Sequence, residues 1–201
     1  MKVLVVEGSK GAAVRAVRAL HEAGHEVATC VDEGATSFPC RGMHDGGTCP
    51  LDGPSVDVAL LVRMSADPHP TAEEEGIRCA LRHQVPIAIA GEVGSPYTDW
   101  AAVVAPGTNG VVAAVEAAAA APLPRHSVAA TEALRAVLAG NGLPTDDARA
   151  AVHRQGSHLH VLLRPGCELE PMVADTASVR VLAAVRALDH HVEIIDVSID
   201  A

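Results

Sequence analysis

Aromatic side chains are nearly absent: Phe38, Tyr97 and Trp100 are the only three in 201 residues. Proteins that hold single-stranded nucleic acid stack its bases on such rings, so the composition excludes that class. Basic charge is also scarce. Fifteen Lys and Arg stand against 25 Asp and Glu, a formal net charge of −10. The basic footprint of a phosphate-backbone binder is therefore missing, and no nucleic-acid partner is expected. Long hydrophobic runs are missing too. Val3–Val6 is too short for a signal-peptide core, and no window approaches the roughly 18 apolar residues of a membrane span. The expectation is a cytoplasmic protein with no membrane span. In a reducing cytoplasm its five cysteines, Cys30, Cys40, Cys49, Cys79 and Cys167, are buried hydrophobes, metal ligands or redox groups rather than structural disulfides.

What is present is aliphatic. Hydrophobic residues make up 49% of the chain, and 37 residues are alanine. That is enough for a core of Val, Leu, Ile and Ala, and it argues against disorder. Val3–Val6 reads as a buried strand. Ala13, Val14, Val17 and Leu20 have helical spacing within Ala12–Ala23, Gly24 stops the helix, and His25–Cys30 is a second strand. Strand, helix, strand in about 30 residues is a parallel βαβ unit. Residues 31–55, rich in Gly, Pro, Asp, Ser and Thr, form a loop long enough to be functional. Further strands are expected at Val56–Val62, Val85–Ala90 and Trp100–Val104. A helix to about Gln84 opens at Thr71, with Glu74 completing a capping-box pattern, and another runs from Asn109 to Ala121. The fold class is α/β: a five-stranded doubly wound parallel sheet over residues 1–121.

Pro122-Leu123-Pro124 breaks this rhythm, and residues 122–126 read as a linker. Both sides are acidic, with 8 basic against 15 acidic residues up to Ala121 and 7 against 10 after it. Over 127–201 the order is α-β-β-α-β. A helix capped by Ser127 runs to Ala139, and a hairpin turns at Gln155-Gly156-Ser157. A helix over Ala174–Leu188 and a strand over Val192–Ile199 complete a small α+β domain with its helices on one sheet face.

The first half resembles the response-regulator receiver family, a flavodoxin-like fold, through VLVVE at 3–7, RALHEAGHEV at 18–27 and DVALLVRM at 57–64. The resemblance is to a degenerate receiver. Of the family's acidic pair only Glu7 is present, with Gly8 as its neighbour. Val62 stands for the phosphoacceptor, Ala90 for the hydroxyl residue, and Ala105 or Pro106 for the late lysine. A phosphorylation switch is therefore not implied. The second half is similar to the alkaline-shock protein domain and, less well, to BON-type domains. That likeness rests on HLHVLLRPG at 158–166, VRVLAAVRAL at 179–188 and VEIIDVSI at 192–199. It implies a non-catalytic, stress-associated interaction or assembly module.

Three residue sets are candidate sites. Cys30, Cys40, Cys49 and Cys79 lack the short C-x2-C spacing of zinc ribbons and ferredoxins. Cys30, however, ends the second strand, where ligands gather in open α/β sheets. Cys40 and Cys49 lie in a loop whose glycines allow tight wrapping. Four thiolates suit Zn²⁺ or an iron–sulfur cluster, with Met43 and His44 as alternative ligands. Cys79 is the doubtful fourth because it sits within a helix, and small buried cysteines are the competing account. Gly8, Ser9, Lys10 and Gly11 place backbone N–H groups at a helix N-terminus, where a nucleotide phosphate could bind with Asp32 near its ribose. The full G-x-G-x-x-G and P-loop patterns are absent, and a tight turn explains the glycines equally. His158 and His160 share one face of a strand, with His126, His153, His190 and His191 nearby in sequence. They suit a metal or pH-sensing site, or merely a solvated edge. Glu73-Glu74-Glu75 reads as a helix first-turn charge run, favourable to the macrodipole and needing no function. The reading that follows is a non-catalytic regulatory or redox protein with a thiol-bound metal or cluster. The alternatives are a nucleotide-binding enzyme or sensor and a ligand-free interaction module.

Overall fold

A continuous apolar strand must be covered on both faces, and Val3–Val6 is buried throughout. It lies in β1 (Lys2–Glu7), the second strand of a five-stranded, all-parallel sheet. The other strands are β2 (Glu26–Thr29), β3 (Val58–Arg63), β4 (Ile87–Gly91) and β5 (Val103–Pro106). Their order is β2-β1-β3-β4-β5. In this computed structural model the described residues are 1–31, 39–53, 56–64, 71–189 and 192–200. The chain divides into two units, Met1–Ala121 and Pro122–Ala201.

Alternation along each strand sorts the first unit's core into two layers. Val3, Val5, Val58, Leu60, Val62, Ala88 and Ala90 face α1 (Val14–Glu22) and α3 (Val111–Ala120). Leu4, Val6, Ala59, Leu61, Ile87 and Ile89 face α2 (Thr71–Arg82), together with Leu51, Val56 and Tyr97. The α/β sheet flanked by helices is therefore as the hydrophobic pattern predicts. The fifth strand is displaced from its expected position: Thr98–Trp100 is a turn of 3₁₀ helix, and pairing begins at Val103. Tyr97 and Trp100 stack, with ring centroids 5.8 Å apart. The capping-box expectation also changes, since Glu74 pairs forward with Arg78 at 2.6 Å, one helical turn on.

The second unit has the expected order: α4 (Pro124–Gly140), β6 (Arg149–Gln155), β7 (His158–Arg164), α5 (Pro171–Leu188) and β8 (Ile194–Ile199). β6 and β7 pair antiparallel, while β7 and β8 pair parallel across the α5 connection. Val152, Leu159, Val161 and Leu163 meet Leu134, Leu138, Val181 and Val185 in one core. The segment expected as a linker is part of this unit. Leu123 is buried in the core, its N–H bonds to the Val152 carbonyl at 2.7 Å, and α4 starts at Pro124. Proline's missing N–H costs nothing in a first helical turn. Ser127, expected as the cap, instead accepts the Val152 N–H on its hydroxyl at 3.0 Å.

Candidate thiol centre

β2 ends beside Cys30, whose carbonyl accepts the N–H of Arg41 at 2.6 Å. That bond fastens the returning loop to the end of β2 and sets Cys40 next to it. Arg41–Met43 then makes a single 3₁₀ turn, with Met43 N–H donating to the Cys40 carbonyl at 2.9 Å. The chain folds back so tightly that a Cβ on Gly42 would lie 2.9 Å from the Cys49 Cβ. Only glycine admits that approach. Cys49 starts a turn closed by the Asp52 N–H at 3.0 Å, and the turn buries Leu51 in the core. Cys79 arrives from α2. Cys30, Cys49 and Cys79 pack against the same apolar cluster, and all four thiols line one cavity of about 1010 Å³.

Burial and the neighbouring thiols act on Cys30 and Cys79 in the same direction. Burial pushes the Cys30 thiol up to about 12, and Cys40, Cys49 and Cys79 push it the same way while Arg41 opposes. Burial also raises Cys79. Cys49 adds to that, Arg82 opposes it, and Cys40 and Glu75 raise it further. Without a cation, Cys30 and Cys79 favour the protonated thiol. A soft cation would replace those protons and cancel the repulsion between thiolates. Among the described residues, no group of three or more His, Cys, Asp or Glu side chains is already arranged to hold a metal ion. Both Met43 and His44 are solvent-exposed, and of the two only Met43 lines the cavity. Cys167 lies in the second unit, against that unit's own core.

Arg41 and Arg82 were not foreseen as part of this centre. The signal was present: Arg41 follows Cys40 directly, and Arg82 is three residues beyond Cys79, on the same side of a helix. Of the loop expected over 31–55, residues 32–38 and 54–55, with Asp32 and Phe38 among them, lie outside the described residues.

The Gly8–Gly11 turn leads into α1, and the Gly8 N–H bonds to the Val62 carbonyl at 3.4 Å. Glu7 accepts the N–H of Gly11 at 3.2 Å and of Ala13 at 3.1 Å. One N–H of that turn, Gly11, is thus taken by a carboxylate of the chain itself. Within the acidic first turn of α2, Glu73 is turned inward. It is 4% exposed, with Arg63 Nε at 3.6 Å from Oε1, and burial holds its carboxyl above the usual range against the opposing pull of Arg63. Among the histidines, His126 is fully buried with neither ring nitrogen hydrogen-bonded, so it is no edge residue. His153, His158 and His160 share the solvent-facing side of the second sheet, and His190 and His191 lie outside the described residues. No protein-family model, curated protein or solved structure matches the chain detectably.

Proposed function

We propose that the protein is a non-catalytic regulatory or redox protein that holds a metal ion or an iron–sulfur cluster through Cys30, Cys40, Cys49 and Cys79. One observation carries the reading: four thiols from the end of β2, two points of one loop and a helix meet at a single cavity. Thiolates suit zinc and iron–sulfur clusters alike. Bound zinc would cross-link the loop to α2 and the end of β2, and a bound cluster would supply one-electron redox chemistry. Cys79 is held within α2, and Cys30 directly follows β2. Cys40 and Cys49 close on them through the Arg41–Cys30 backbone bond and the Gly42 contact. Arg41 and Arg82 offset the negative charge that four thiolates would accumulate.

The strand order β2-β1-β3-β4-β5 supports reading the first unit as a doubly wound, flavodoxin-like domain of degenerate receiver type. The second unit then serves as the alkaline-shock-like or BON-like module, for a protein partner or self-association. A cytoplasmic location fits the free thiols. No helix among the described residues is long and apolar enough to cross a membrane. The test is anaerobic purification followed by elemental and sulfide analysis and a visible spectrum. Stoichiometric metal, lost in Cys40→Ser and Cys49→Ser, is expected. Metal-free protein with four titratable thiols and an intact fold would refute the reading.

A further inference from the structure

We propose that His153, His158 and His160 form a second metal site, for a divalent transition-metal ion of the zinc type, on the solvent-facing side of the second unit's sheet. The strand pattern places these residues. Val152, Val161 and Val197 share one rung and point into the core, so the next rung, His153, His160 and Asp196, points the opposite way. His153 and His160 are direct cross-strand partners, a pairing that sets Cβ atoms about 4.5–5.5 Å apart. His158 is two residues before His160 on β7, hence on the same face and about 7 Å along the strand. A strand supplying His-x-His, with a third histidine on its antiparallel neighbour, gathers three imidazoles over one patch of sheet. Three histidines with an open fourth position is a ligand set that zinc uses in catalytic sites.

Asp196 supplies the supporting contact. Its Oδ2 lies 3.7 Å from His160 Nδ1. That is longer than a hydrogen bond; on closing it, the carboxylate would orient the ring through Nδ1 and leave Nε2 for a metal, the role of a positioning residue. Other charges on this face are engaged elsewhere: Arg164 with Asp200 at 3.1 Å, and Glu193 with the Ser157 hydroxyl at 2.9 Å. The side chains of His160 and Asp196 are 47% and 63% exposed. The three imidazoles are not gathered around a common point in the structure, so binding requires them to rotate into place.

Co²⁺ titrated into the reduced full-length chain tests this. Cobalt on thiolates gives a sulfur-to-metal charge-transfer band, whereas cobalt on imidazoles gives ligand-field bands alone. The expected result is one equivalent with ligand-field bands alone, displaced by Zn²⁺. It is lost in the His158→Ala/His160→Ala double variant at unchanged far-UV circular dichroism. His153→Ala, which leaves β7 untouched, weakens binding at least tenfold. Asp196→Asn weakens it about 10- to 100-fold, as expected for a carboxylate behind a ligand. No ligand-field equivalent in the wild type, or equal uptake by the histidine variants, would overturn the proposal. Failure of the thiol centre would remove only the charge-transfer band, so the two outcomes separate.

Discussion

Alanine in place of glycine inside a helix ordinarily stabilises it by about 1 kcal/mol. Gly76, in the middle of α2, should do the reverse. A Cβ there would lie 2.5 Å from Cγ1 of Val6, 2.9 Å from Cγ2 and 3.2 Å from its Cβ. Val6 is buried in β1, and its branched side chain has little rotamer freedom with which to yield. Forcing a methyl into such a gap costs about 1–3 kcal/mol, and contact this close belongs at the upper end. Set against the helix gain, Gly76→Ala should destabilise the first unit by about 2 kcal/mol. Urea denaturation followed by tryptophan fluorescence reads this directly, because Trp100 is the only tryptophan and lies in that unit. The midpoint should fall by about 1 M, given the usual urea slope. The double variant Val6→Ala/Gly76→Ala should be about 2 kcal/mol more stable than the two single effects summed, because the smaller side chain makes room for the new methyl. A neutral or stabilising Gly76→Ala, or strict additivity, would refute the packing argument.

Other consequences are as direct. Burial, partly countered by Asp189 and reinforced by Arg154 and Arg125, holds the His126 imidazole below its ordinary 6.5. Below pH 6.5 the unfolded chain therefore gains a proton that the native state refuses, and stability falls with pH. His126→Leu should flatten that acid slope in denaturation series, and an unchanged slope would exclude His126 as its source. Arg154 and Asp189 form a buried ion pair with side chains 9% and 7% exposed. Asp189→Ala should cost about 3–5 kcal/mol, read by circular dichroism, because it leaves a buried guanidinium without that carboxylate. With its thiol pushed up to about 12, Cys30 should react with iodoacetamide at least tenfold more slowly in the metal-free native protein than after denaturation, at about pH 8. Equal rates would mean that the thiol is neither buried nor coupled to its neighbours.

Local pattern carried far in both units. The apolar runs around Leu4, Leu60 and Ile89 marked buried parallel strands, and the Gln155–Ser157 turn marked the hairpin. These elements depend on periodicity and turn chemistry within a few residues. Boundaries were less legible where distant contacts decide them. Pro122–Pro124 looks like a linker in sequence, but Leu123 has a core to enter. Trp100 looks like the start of a strand, but pairing with β4 begins only at Val103. Glu73 lies in a run of three acidic residues, and which of them points inward depends on how α2 is rotated against Val6 and Arg63.

The sequence alone therefore determined the alternation of strands and helices, the two-part organisation and the identity of the thiols, because each is written in residue type and short-range spacing. Tertiary structure alone decided that those thiols line one cavity. Cys30 and Cys79 are 49 positions apart in the chain, and no spacing rule links a strand end to the middle of a helix. They come together because α2 packs its Ile77 and Ala80 against the sheet face that holds Leu4 and Leu61. The rung His153, His160 and Asp196 likewise exists only through the pairing of β6 with β7 and of β7 with β8.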